Sequence, residues 1–185
     1  ANLTSNAGAD KTFGIYSTST STSTKITNNG SINFNNGGKE NIGIFAENGT
    51  IENNKDISVA DKGVAIGTKD GTIDNKTGGV ITVGKESTGL YGGSSTSVIK
   101  NAENINANAK DSSTGIFSNG KVETTAGTIF VGNKGFGIYS TTGDLTLTGG
   151  NIDLNSATGG TGVLVNTTNA TNLGTIGADY ILPNI

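Results

Sequence analysis

The chain has 185 residues, a net charge of −3 and a sequence pI near 4.8. It contains no Cys, His, Arg, Met, Trp or Gln, so all 12 of its cations are lysines. This excludes disulfides, thiolate or imidazole metal sites, a Cys nucleophile, a His general base and a guanidinium clamp, and an acidic chain without a basic patch argues against nucleic acid as a partner.

The apolar residues point to strand, with 19 Ile and 9 Val against 8 Leu. β-Branched side chains suit a pleated surface, and the Gly, Asn, Ser and Thr that fill the remainder punctuate turns. No stretch carries a helical period, and Pro183 is the single proline. No apolar run is long enough for a membrane-spanning helix. Residues 1–10 lack the basic start and apolar core of a signal peptide.

Taken in chain order, one short motif recurs: a glycine, an aliphatic residue, then often an aromatic. It starts at Gly14, Gly43, Gly63, Gly89, Gly115, Gly137 and Gly162, at spacings of 20–29 residues. Such a unit is the size of one solenoid coil. A second element lies between the motifs: Ile32-Asn33-Phe34, Ile57-Ser58-Val59, Ile81-Thr82-Val83, Ile105-Asn106-Ala107, Ile129-Phe130-Val131 and Ile152-Asp153-Leu154. A third precedes it, centred on Ile26, Ile51, Ile73, Ile99, Val122 and Leu145. Each unit therefore reads as three short strands joined by three turns.

Strands of this length bury one or two side chains and do not stand alone. Stacked on the next unit, they pair their backbones about 4.8 Å apart and align their inward residues into columns. The expected fold is all-β: a right-handed three-sided parallel β-helix, or solenoid, of about seven coils, as one domain over residues 1–185 with a partial coil at 166–185. Seven coils give a rod about 34 Å long. Coil length varies because loop length is thermodynamically cheap. The recurring glycines predict either a corner with φ > 0 or close approach to the neighbouring coil. Asn28, Asn53, Asn75 and Asn101 hold equivalent turn positions and predict a ladder of side-chain amides.

The run "STSTSTST" at 17–24 looks at first like a linker. Its flanks show otherwise, because "GIYST" at 14–18 has a twin at 137–141. The run is an insertion on one corner of the first complete coil. Its alternation predicts a small hairpin that prolongs both neighbouring strands. The longest turns are 17–25, 34–42 and 107–114, where ligand contacts are expected.

Candidate sites are few. The aromatics Tyr16, Phe45, Tyr91, Phe117 and Tyr139 sit two residues after the motif glycine, a stripe interrupted by Ala65 and Leu164. Facing outward they would form a sugar- or receptor-binding surface; otherwise they are an ordinary structural ladder. Glu52 and Asp74 follow equivalent strand residues in adjacent coils, as Glu123 does further along. Two carboxylates about 5 Å apart would suit a retaining glycosidase. The alternative is a pair of surface charges neutralised by Lys55 and Lys76. "GGNIDLN" at 149–155 lacks the third glycine of a calcium repeat and reads as turn plus strand. The glycosylation sequons at 48–50, 75–77, 166–168 and 169–171 read as polar turns. No catalytic residue, metal or cofactor is expected.

The unit "GIFAENGTIENNKDISVADKGVAIG" (43–67) follows the form G-[IV]-[YF]-[SA]-x-N-G-x-I-x-N, and "GIYSTTGDLTLTGGNIDL" (137–154) shares its opening and its glycine. With Lys, Asn and Ile in place of Arg, Gln and Leu, they resemble the passenger domains of large type V autotransporters, especially those of fusobacteria. The likeness covers roughly residues 10–178. It implies a bacterial cell-surface or secreted protein that crosses the outer membrane unfolded, with which the absence of Cys agrees. It further implies adhesion, the partners being a host-cell receptor or glycan or another bacterial surface. The translocator barrel such proteins use for export is not in this sequence, so the chain reads as a slice of passenger. A glycan-active lyase or hydrolase and a pure spacer are the rival readings.

Overall fold

The computed structural model describes residues 2–108, 111–142, 144–154, 157–166 and the backbone of 173–176. Strand β1 (Leu3–Thr4) precedes the first turn, formed by β2 (Phe13–Ser17), β3 (Lys25–Asn28) and β4 (Ile32–Phe34). The second turn is β5 (Ile42–Ala46), β6 (Thr50–Asn53) and β7 (Ile57–Val59), and the third is β8 (Val64–Thr68), β9 (Thr72–Asn75) and β10 (Ile81–Val83). The fourth turn is β11 (Thr88–Gly92), β12 (Val98–Asn101) and β13 (Ile105–Ala107). In the fifth, β14 (Thr114–Ser118) leads into one long strand, β15 (Lys121–Val131); in the sixth, β16 (Phe136–Ser140) leads into β17 (Leu145–Asp153). Then come β18 (Thr161–Val165) and β19 (Leu173–Ile176).

Every pairing is parallel and joins one turn to the next, which makes the chain a three-sided parallel β-solenoid. About six turns are complete, one fewer than the motif glycines suggest, because Gly162 opens a turn that only β19 continues among the described residues. The first face stacks β2, β5, β8, β11, β14, β16 and β18. A second stacks β3, β6, β9, β12 and the first half of β15; the third stacks β1, β4, β7, β10, β13 and its second half. Two turns therefore replace the expected pair of short strands by one bent strand. β17 follows β15, with register shifts at Thr124, Thr125 and Thr128 where the corner is rounded.

The core is a set of columns. Ile44, Ile66, Leu90, Ile116 and Ile138 align from the first face, and Ile51, Ile73, Ile99 and Val122 from the second. Ile32, Ile57, Ile81, Ile105 and Ile129 align from the third. All are buried. Each such side chain contributes about 1.5–3 kcal/mol on burial, but only because its like lies directly above and below.

One column is polar. Asn28 Nδ2 donates to Asn53 Oδ1, Asn53 Nδ2 to Asn75 Oδ1, and Asn75 Nδ2 to Asn101 Oδ1, each at 2.8 Å. Asn101 Nδ2 closes the series on the Glu103 carbonyl at 2.8 Å. All four are buried, so the amides satisfy one another where water does not reach. The ladder ends where Thr124 and Leu147 take over the position in β15 and β17.

The Ser-Thr run is an insertion within the first turn, but no hairpin. Strand ends at Ser17 and resumes at Lys25. Between them, the hydroxyls of Ser17, Ser19 and Ser21 each accept the amide two residues on, and Ser19 Oγ meets Thr24 Oγ1 at 2.6 Å. Serine hydroxyls compete well for local amides, so the run closes on itself.

Candidate functional site

The first face carries the motif, and register decides which residues share a column. Gly14, Gly43, Gly89, Gly115, Gly137 and Gly162 are equivalent, each preceding the paired core aliphatic. Gly63 is not among them. Ile66 pairs with Ile44 and Leu90, so Ala65 takes the glycine position and Gly63 lies outside β8. None of the seven has positive φ. Close approach explains the column: a Cβ on Gly89 would stand 2.5 Å from the Gly115 carbonyl oxygen and 2.9 Å from Ile105 Cγ2.

The aromatic column runs Tyr16, Phe45, Gly67, Tyr91, Phe117, Tyr139, Leu164. The interruption is Gly67, not Ala65. The side chains face outward, half-buried, beside core residues that are wholly buried. Two ladders result. Tyr16 and Phe45 stack with centroids 5.6 Å apart, Tyr91 and Phe117 at 5.4 Å, and Phe117 meets Tyr139 at 5.2 Å. Phe13 packs edge-on against Tyr16, and Phe136 leans on Tyr139. Ring faces inside a ladder are thus occupied by other rings. Tyr16, at 51% exposure, is the most open.

Gly67 tests whether ring stacking stabilises the rod. A Cβ there would stand 2.9 Å from the Phe45 ring, which can swing aside, and at an ordinary 3.6 Å from Val64 Cγ1. Gly67→Tyr is expected to join the two ladders and raise stability by about 1 kcal/mol. Chemical denaturation checks this; a loss of stability would show that the gap is needed.

The carboxylates lie on the second face. Glu52 and Asp74 are in register, and Lys76 Nζ stands 3.5 Å from each. The nearest cation to Glu52 is Lys25 at 3.0 Å, rather than the expected Lys55, which forms no ion pair among the described residues. Glu123 sits between Lys121 at 2.7 Å and Lys100 at 3.8 Å. The hydrogen bond from Lys25 holds the Glu52 carboxyl below the usual carboxylate range, and that from Lys121 does the same for Glu123. A general acid needs the opposite shift. These are mutually neutralised surface charges.

Their pH dependence follows. A depressed carboxyl contributes stability that is present above its unfolded pKa and lost as pH falls through the folded value. Lys76 and Lys121 are raised, chiefly by Asp74 and Glu123, so their contribution is present below the ordinary lysine pKa and lost as pH rises through the raised one. Thermal melts are expected to give a midpoint that is flat between these limits and declines outside both. Glu123→Gln should shrink the acid-side decline; an unchanged profile would remove the ion pairs from the account.

One column was missed in the sequence. Lys11, Glu40, Lys62, Glu86, Ser112 and Lys134 all adopt positive φ, each two residues before a first-face strand. The residue ahead of each helps hold the turn: Asp10 Oδ1 accepts the Lys39 amide and Asp61 Oδ1 the Lys85 amide, both at 2.8 Å. Charge alternates up the column, pairing Lys11 with Glu40 and Lys62 with Glu86 at 3.6 Å. The signal was the recurring Asp-Lys and Lys-Glu dipeptides at 10–11, 39–40, 61–62 and 85–86.

A shallow groove of about 240 Å³ lies on the adjoining corner, lined by Asn35, Gly37, Gly38, Ala60, Asp61, Thr82, Val83 and Gly84. Asp61, its only ionisable wall, is already engaged by the Lys85 amide. In "GGNIDLN", residues 149–153 lie within β17, and among the described residues no three Asp or Glu side chains gather as metal ligands. The sequons at 166–171 fall outside the described residues except for Asn166, whose Nδ2 donates to the Tyr139 hydroxyl at 3.1 Å. No family model, no curated protein and no solved structure matches this chain.

Proposed function

We propose that this chain is a β-helical passenger segment of a bacterial autotransporter, displayed at the cell surface, which supports adhesion to host cells, their glycans or other bacteria. The observation that carries this reading is the uninterrupted stack. About six turns share one core, and insertions such as 18–24 leave the strands on either side in register. A rod of this kind projects loops at fixed spacing, and each turn is supported by its neighbours. The resemblance of the G-[IV]-[YF]-[SA] repeats to autotransporter passengers supplies the surface location. Adhesive contacts belong to the longest loops and to the half-exposed Tyr16, because ring faces within the ladders are occupied.

The test is binding of the chain to a glycan array, to epithelial cells and to other bacteria. The loop 18–24 is then exchanged for the shorter connection at 141–144. Saturable binding that drops with the exchange supports adhesion by this segment. No binding to any surface makes it a spacer, and release of reducing or unsaturated sugar from mucin or plant polysaccharide makes it an enzyme.

A further inference from the structure

Four Asn-Gly pairs occur in the chain, at 29–30, 36–37, 48–49 and 119–120. In water such a pair is chemically labile, because the glycine nitrogen has no side chain to shield it and can attack the preceding side-chain amide. Folded structure decides which pairs react, since attack requires the nitrogen to be held against the carbonyl.

In three pairs the asparagine side chain is engaged elsewhere. The Gly30 amide points to Asn28 Oδ1, while Asn29 Oδ1 is taken by Asn54 Nδ2 at 3.0 Å. Asn36 Nδ2 is tied to the Ser5 carbonyl at 2.9 Å. Asn119 is bound at both ends, by the Gly93 carbonyl and by Thr141 Oγ1, each at 2.9 Å, and the Gly120 amide is capped by Ser118 Oγ. The pair at 48–49 differs. The Gly49 amide donates to Oδ1 of Asn48 itself at 2.7 Å. Cγ is one bond from that oxygen, so the hydrogen bond holds the nitrogen beside the carbonyl it attacks once its proton is lost. No hydrogen bond among the described residues anchors Asn48 Nδ2, the leaving group. Gly49 has φ +91°, and a Cβ there would strike the Thr24 carbonyl oxygen, so the position requires glycine.

We propose that Asn48 is a site of spontaneous self-modification, converting through a cyclic imide to aspartate and isoaspartate. Hydroxide removes the Gly49 amide proton, the nitrogen bonds to Asn48 Cγ, and the Cγ–Nδ2 bond breaks. Nδ2 takes a proton from water and leaves as ammonia. Water then opens the imide: attack at the side-chain carbonyl gives aspartate, and attack at the main-chain carbonyl gives isoaspartate. Isoaspartate places an extra methylene in the main chain between β5 and β6. Just there Thr50 donates to the Thr24 carbonyl at 2.8 Å and Gly49 accepts from Thr72 at 2.7 Å. The modification therefore loosens the joints to the turns on both sides.

The test holds the folded protein in mildly alkaline buffer and resolves Asn, Asp and isoaspartate at all four pairs by peptide mapping. Asn48 is expected to convert about tenfold faster than Asn29, Asn36 or Asn119, at a rate that rises with hydroxide. In urea the four rates converge, and Asn48→Gln removes the product. Equal rates at the four sites in the folded protein, or a slower rate at Asn48 than elsewhere, would overturn the proposal.

Discussion

Gly89→Val is expected to destabilise the stack by about 3 kcal/mol, the upper part of the range for overpacking a tight core. The reason is backbone proximity rather than backbone conformation. Its Cβ would lie 2.5 Å from the Gly115 carbonyl oxygen and 2.9 Å from Ile105 Cγ2, and neither atom ends a flexible chain. Ala65 sets the limit of tolerance, because it holds the same column position in the third turn while fully buried. Gly89→Ala should accordingly cost about 1 kcal/mol. Urea titration followed by circular dichroism orders the three proteins. A valine variant as stable as the parent would show that the turns separate freely and that close approach does not select glycine.

The second large effect is expected at the amide ladder. Asn75→Ala removes both a donor and an acceptor from a buried column. Asn53 Nδ2 is left with only its long 3.5 Å bond to the Gly79 carbonyl, and Asn101 Oδ1 loses its 2.8 Å partner. One stranded and one weakened buried group cost about 2–3 kcal/mol together. Asn28→Ala, at the end of the ladder, leaves the buried Asn53 Oδ1 without its partner and frees only the part-buried Gly30 amide besides, and is expected to cost about 1 kcal/mol. Hydrogen exchange adds a spatial check. Protection should fall in β6, β9 and β12 for the central variant but chiefly in β3 and β6 for the terminal one, because a solenoid loses structure locally. Equal effects at the two positions would mean that the amides act singly.

Much of this was legible in the sequence because a strand's side chains alternate with a period of two. Ile57-Ser58-Val59 and its counterparts declare their inward residues by themselves, and β4, β7, β10 and β13 begin and end where that pattern does. The amide ladder was legible for the same reason: Asn28, Asn53, Asn75 and Asn101 each follow an inward isoleucine by two residues. Gly63 misled because a glycine two residues early imitates the motif. Register follows the core, where Ile66 must meet Ile44 and Leu90, and the glycine has no say in it. The positive-φ column was harder to read, since lysine and glutamate have no intrinsic preference for that region. It exists because each corner lies on another of the same shape.

The sequence by itself determined the architecture: three short strands in most turns, parallel stacking, variable loops, an aromatic column whose direction it left open, and an amide column. Only the tertiary structure decided that the aromatic faces are spent on each other, that Lys25 rather than Lys55 neutralises Glu52, and that Asn48 alone among the four Asn-Gly pairs has its glycine amide on its own side chain. The division has one physical cause. Which way a residue faces is a local property of the chain, set by its neighbours in the strand. What it touches lies a full turn away, at a height fixed by backbone pairing and a register fixed by the core.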